Sequence, residues 1–156
     1  MTSRTITLRL PQPEDTDHLG ECLARVAQAG DVILLRGQIG AGKSALARAF
    51  IRARLGPETE VPSPTFTLVQ TYEDASTEIW HADLYRLADP QEAVELGLTD
   101  AFGTSLCLIE WPELIADMVP DCALDIDLSV MPDHHIATLT AGPRWHNLFA
   151  GLSSDA

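Results

Sequence analysis

Thr5 to Leu10 (TITLRL) alternates polar and apolar residues, which predicts an edge strand stopped by Pro11 and Pro13. The pattern then changes to a helical period. EDTDHLGECLARVAQAG has acids in its first turn and places Leu19, Cys22, Leu23 and Val26 on one face, with Gly30 expected as a left-handed cap. Four consecutive apolar residues, Val32 to Leu35, predict a buried strand in DVILLRG. SALARAFIRARLGP predicts a second helix with Leu46, Ala49, Phe50 and Ala53 on its inner face, Arg48 and Arg52 outside, and Gly56-Pro57 as its stop. TFTLVQTY and TEIWHADLY, separated by EDAS, predict a hairpin. A short helix should follow from Asp89 with Pro90 in its first turn. SLCLIEW reads as a second buried strand and PELIADMVP as a short helical segment. ALDIDLSV and HHIATLTA read as a late strand pair around MPDH. The expected architecture is α/β: one mixed, partly parallel sheet flanked by helices, in a single domain over residues 1–156. Its core should span about residues 5–141, followed by a short tail, 142–156, with one helical turn around Trp145 to Phe149.

Composition narrows the function. The chain has 156 residues and a net charge of -13, with 23 acids against 10 bases, which argues against an extensive direct grip on nucleic acid. Its apolar runs are too short for a membrane span, and the alternating start MTSRTITLRL reads as a strand and not a signal peptide, so a cytoplasmic location is expected. Cys22, Cys107 and Cys122 lack metal-binding spacing and stand in apolar surroundings, which predicts three buried thiols in a reducing compartment.

Against that acidity one cation stands out, because Lys43 is the single lysine of the chain. It lies in Gly37-Gln38-Ile39-Gly40-Ala41-Gly42-Lys43-Ser44, which satisfies G-x-x-x-x-G-K-[ST] between a buried strand and an amphipathic helix. Glycines let such a loop curl with its N–H groups inward, and the helix dipole favours an anion at its start, so the loop fits a polyphosphate. Lys43 is then expected on the β and γ phosphates, and Ser44 on Mg²⁺. The second metal-side group should be a carboxylate at the end of a buried strand. Glu110, after the continuously apolar Leu106 to Ile109, is the better candidate, and Asp83, after the less uniform IWHA, is the other. With no second lysine the chain lacks the N-K-x-D guanine motif of ordinary GTPases. After Arg54 only Arg86 and Arg144 follow, which is poor material for a kinase lid. A small-molecule kinase remains the runner-up, and a nucleotide-gated binding module with little turnover is the third reading.

The order VILLRGQIGAGKSALARAFIRARLG, SPTFTLV, HADLYRL and IEWPE resembles the TsaE (YjeE) family, bacterial ATPases of threonylcarbamoyl-adenosine biosynthesis, over roughly Thr16 to Leu139. The resemblance implies an Mg²⁺-dependent ATPase, weak alone, that works on the TsaD and TsaB proteins and resets them between turnovers. It implies that ATP is held by Gly37 to Ala45 and Thr65, with Thr16 near the base. Ser44 and Glu110 would hold Mg²⁺, Asp83 would position water or sense the γ-phosphate, and Ser63 and Thr65 would form a switch segment. Trp111 matches a family tryptophan, serving either packing or a partner. Ser44 stands where the family more often has threonine and Gln38 where an acid is common. His134-His135 stands where an arginine on the nucleotide is expected, and is read as a solvated turn before a metal site.

Overall fold

The seven predicted strands form a single sheet in the order β1-β7-β6-β2-β5-β4-β3. The computed structural model describes residues 3–154. Strands β2 (Val32–Gly37), β4 (Glu78–Asp83), β5 (Leu106–Glu110) and β6 (Leu124–Val130) make the parallel centre. Antiparallel β3 (Val69–Glu73) extends one side of it. On the other, β7 (His135–Ala141) and β1 (Arg4–Leu10) do the same, so β1 is the edge strand its alternation predicts. β2 and β5, continuously apolar, lie in the middle because a strand covered on both faces has no solvated side to fill with polar residues.

Two apolar layers sandwich the sheet. On one face, helices α1 (Pro13–Val26) and α2 (Lys43–Leu55) pack over Ile33, Leu35, Leu108 and Ile126. On the other, α3 (Pro90–Glu95), α4 (Leu98–Ala101) and a 3-10 turn at Pro112–Ile115 cover Val32, Leu34, Cys107 and Ile109. Asp89 caps α3 by accepting the Gln91 N–H, as the Asp-Pro start predicts.

Several expectations change. Helix α1 ends at Val26, not at Gly30, because Arg54 of α2 takes the carbonyls of Ala24 and Ala27 and so satisfies the helix end from outside. Gly30, at φ +91°, serves the turn into β2. Val26 is exposed. The inner face of α2 is Leu46, Ala47, Phe50 and Ile51, with Ala53 exposed, because α2 packs on both the sheet and α1. The segment from Thr65 to Leu68 is a turn, and β3 begins only at Val69. The tail carries a nine-residue helix, α5 (His146–Ser154), and Trp145, Phe149 and Leu152 are buried in the same layer as α1. Cys22 and Cys107 are buried, whereas Cys122 is exposed on the loop before β6.

Candidate functional site

The C-terminal ends of β2, β4 and β5 meet where the chain turns from strand to helix, the place in an open parallel sheet where ligands bind. Gly37 ends β2, the loop curls through Gly40 and Gly42, and α2 begins at Lys43. Gly42 adopts φ +106°, a conformation that costs side chains with a Cβ, and thereby aims the first N–H groups of α2 into the loop. Lys43 is only 5% exposed and donates to the carbonyls of Gly37 and, at 3.0 Å, Gln38. Burial pulls its ammonium below the ordinary lysine value, against the opposing charges of Glu110, Asp83 and Glu113.

Strands β4 and β5 run parallel with Asp83 opposite Glu110, so both candidate carboxylates arrive beside the loop. The Ser44 hydroxyl donates to Glu110, at 3.0 Å to Oε1 and 3.2 Å to Oε2. Asp83 accepts the Tyr85 N–H on Oδ1 (3.0 Å) and the Thr65 hydroxyl on Oδ2 (3.3 Å), and Thr65 is 2.7 Å from Ser63. Both carboxylates are nearly dry, Glu110 at 2% and Asp83 at 5% exposure. Together with Ile39, Gly40 and Lys43 they line a cleft of about 420 Å³.

Two non-glycine residues with positive φ flank this cleft. Leu68 (φ 70°) ends the SPTFT turn and accepts the Asp83 N–H at 2.9 Å, fixing the turn to β4. Trp111 (φ 57°) directly follows Glu110, and its ring lies 4.0 Å from Lys43 Nζ and 4.8 Å from the Tyr85 ring. Such conformations persist only where the surroundings over-determine them, and here both hold groups of the cleft. The tryptophan thus has a position against the lysine that the sequence does not disclose.

Thr16 does not reach the carboxylates. It sits on the first turn of α1, buried, and would lie 3.9 Å from a Cβ at Gly42. With Gly42, Ala45 and His135 it lines a second hollow of about 480 Å³ across the loop from the first. His135 does more than occupy a turn, since its Nδ1 is 3.1 Å from the Ala41 carbonyl and, with that acceptor, must be the donor. His134 pairs with Asp133 at 2.5 Å, in the turn as expected. Among the described residues no group of three or more His, Cys, Asp or Glu is arranged to hold a metal. An ion here would have to draw on Ser44, Glu110, phosphate oxygens and water.

Comparison with known proteins decides the family. The model of the family "Threonylcarbamoyl adenosine biosynthesis protein TsaE" matches residues 10–136. The chain belongs to the TsaE family. It is 37% identical to the tRNA threonylcarbamoyladenosine biosynthesis protein TsaE of Bacillus subtilis over 93% of this chain and 92% of that one. Against the protein of the same description from Rickettsia felis it is 39% identical, covering 81% of this chain and 74% of the other. The crystal structure of YdiB from Bacillus subtilis superimposes with a TM-score of 0.79 at 30% identity, over 99% of this chain and 98% of that chain. TsaE membership places the chain in tRNA threonylcarbamoyladenosine biosynthesis, and the mixed seven-stranded sheet is the fold of that structural relative.

Proposed function

We propose that this chain is an Mg²⁺-dependent ATPase that supports threonylcarbamoyl-adenosine modification of tRNA by acting on a TsaD–TsaB enzyme, resetting it between turnovers. The observation that carries the reading is the convergence of Lys43, Ser44, Asp83 and Glu110 at the ends of β2, β4 and β5, with the Thr16 hollow on the other side of the same loop. The two hollows share Gly42 and Ala45, so a nucleotide can place its triphosphate over the loop and its base beside Thr16.

In this reading each residue has a task its geometry suits. Loop N–H groups from Gly40 to Ser44 bind phosphate oxygens. Lys43 exchanges the Gly37 and Gln38 carbonyls for the β and γ phosphates, charges that a partly dehydrated ammonium meets at little further cost in solvation. Ser44 and Glu110 offer a hydroxyl and a carboxylate, hard oxygen donors of the kind Mg²⁺ takes beside substrate phosphates. Bound there, Mg²⁺ would neutralise charge on the transferred phosphoryl group. Asp83, with its oxygens oriented by Tyr85 and Thr65, orients the attacking water, and the Ser63–Thr65 turn carries the nucleotide state outward. An acidic chain needs no basic tRNA groove for this work, because the modification chemistry lies in its partners. The reading places the protein in the cytoplasm, and among the described residues no helix is long and apolar enough to cross a membrane.

The test is phosphate release from ATP with Mg²⁺, alone and with TsaD and TsaB. Slow release alone, acceleration by the partners, and loss of release in Asp83→Asn are expected. Transfer of the γ-phosphate to a metabolite would establish the kinase instead. Unchanged support of modification by a non-hydrolysing Asp83→Asn variant would establish a nucleotide-gated module.

A further inference from the structure

One buried polar side chain touches the site without a task in the scheme above. His81 lies on β4 two residues before Asp83 and is 1% exposed. Its Nε2 is 2.6 Å from Glu110 Oε2, the carboxylate oxygen that Ser44 approaches less closely. An ionised carboxylate accepts only, so Nε2 carries the proton. Nδ1 is buried and has no hydrogen-bond partner. If this position served packing alone, an apolar side chain would fill it without stranding a polar atom, so the imidazole needs another justification.

The surroundings of Glu110 supply one. This carboxylate is dry and feels the Lys43 ammonium, the largest of the three negative groups that oppose the loss of that lysine's charge. Without a second donor only the Ser44 hydroxyl would hold the carboxylate in place against that attraction. We propose that His81 is a positioning residue that clamps Glu110 Oε2 through Nε2–H, keeping the carboxylate turned to Ser44 and available to a divalent cation. The inference rests on the Mg²⁺ reading of the Ser44–Glu110 pair and names a residue of this chain that sets the metal affinity of that pair. Donors behind a metal-binding carboxylate generally change metal affinity by about 10- to 100-fold when removed.

The experiment measures binding of a fluorescent ATP analogue while Mg²⁺ is titrated, and again in EDTA, for the wild type, His81→Leu and His81→Gln. Leucine fills the site without a donor, whereas the glutamine amide nitrogen reaches where Nε2 lies. For His81→Leu the Mg²⁺ concentration giving half-maximal effect should rise about 10-fold or more, with affinity in EDTA changed less than about twofold; His81→Gln should return to within about threefold of wild type. Equal losses with and without Mg²⁺, or a folded His81→Gln as defective as His81→Leu, would overturn the proposal while leaving the ATPase reading intact. Wild-type binding that ignores Mg²⁺ would instead bring down the metal reading, and this inference with it. Should His81→Leu fail to unfold cooperatively, imidazole ¹⁵N resonances of the wild-type chain decide the matter. A protonated Nε2 whose resonance moves on adding Mg²⁺ with the analogue is expected, and a proton on Nδ1, or no movement, contradicts the clamp.

Discussion

Replacing Gly20 by alanine should drive apart the two helices that carry the proposed nucleotide site. A Cβ at Gly20 would stand 2.9 Å from the Ala49 Cβ, 2.9 Å from the Leu46 carbonyl oxygen and 3.0 Å from the Phe50 nitrogen. Two of these neighbours are backbone of α2 and cannot swing aside. The change also brings a gain, since alanine is the better helix former by up to about 1 kcal/mol. Overpacking against rigid neighbours costs about 1 to 3 kcal/mol, and contacts this short against backbone belong at the upper end. The balance is a loss of about 2 kcal/mol, which in a chain of this size lowers Tm by about 4 to 8 °C. Thr16 lies one helical turn before Gly20, and Lys43 and Ser44 begin α2, so the same displacement should widen the Thr16 hollow and weaken the proposed nucleotide binding. Thermal unfolding and binding of a fluorescent ATP analogue measure both effects. The double variant Gly20→Ala, Ala49→Gly removes one of the three contacts but costs α2 about 1 kcal/mol of helix propensity, so it should recover little of the Tm. A single variant as stable as wild type, or more stable, would show that helix propensity wins and that α1 and α2 are not in this contact.

Other consequences concern charge and thiols. Burial opposes ionisation of Asp74, but the Ser76 N–H, Arg54 and the Thr77 N–H outweigh it and hold the carboxyl at about 2, below its ordinary 3.8. A depressed carboxyl stabilises the fold above pH ~4 and loses that contribution as pH falls toward 2, here on the order of 1 to 2 kcal/mol. Arg54→Met should therefore cost about 2 kcal/mol at pH 7 in urea unfolding, with a smaller gap from wild type at pH 2.5; an equal gap at both would refute the pairing. Burial pushes the Cys107 thiol up to about 12, so a disulfide reagent should label Cys122 fast and Cys107 only on unfolding. A Cys122→Ser variant that keeps the fast phase would contradict this assignment.

Where sequence and structure agree, the reason is local. β5 and Glu110 are legible because four apolar residues in a row leave no solvated face, and the loop from Gly37 to Ser44 because its chemistry dictates residue types at fixed spacing. What escapes the sequence depends on partners remote along the chain. Helix α1 stops early because Arg54, 27 residues beyond Ala27, takes its last carbonyls. Two of the differences had a readable signal, since Trp145, Phe149 and Leu152 already stand at helical spacing, and Cys122 stands beside the charged Asp121. His81 had none. A histidine inside an apolar strand looks like packing until β4 and β5 are paired and Glu110, 29 residues away, is found against it.

In the proposed function this loop drives a cycle and not the modification chemistry itself. Lys43→Ala, assayed for threonylcarbamoyl-adenosine formation with TsaD, TsaB and tRNA over many turnovers, tests it most directly. A normal first turnover followed by arrest is expected. Loss already in the first turnover, or undiminished turnover throughout, would contradict it.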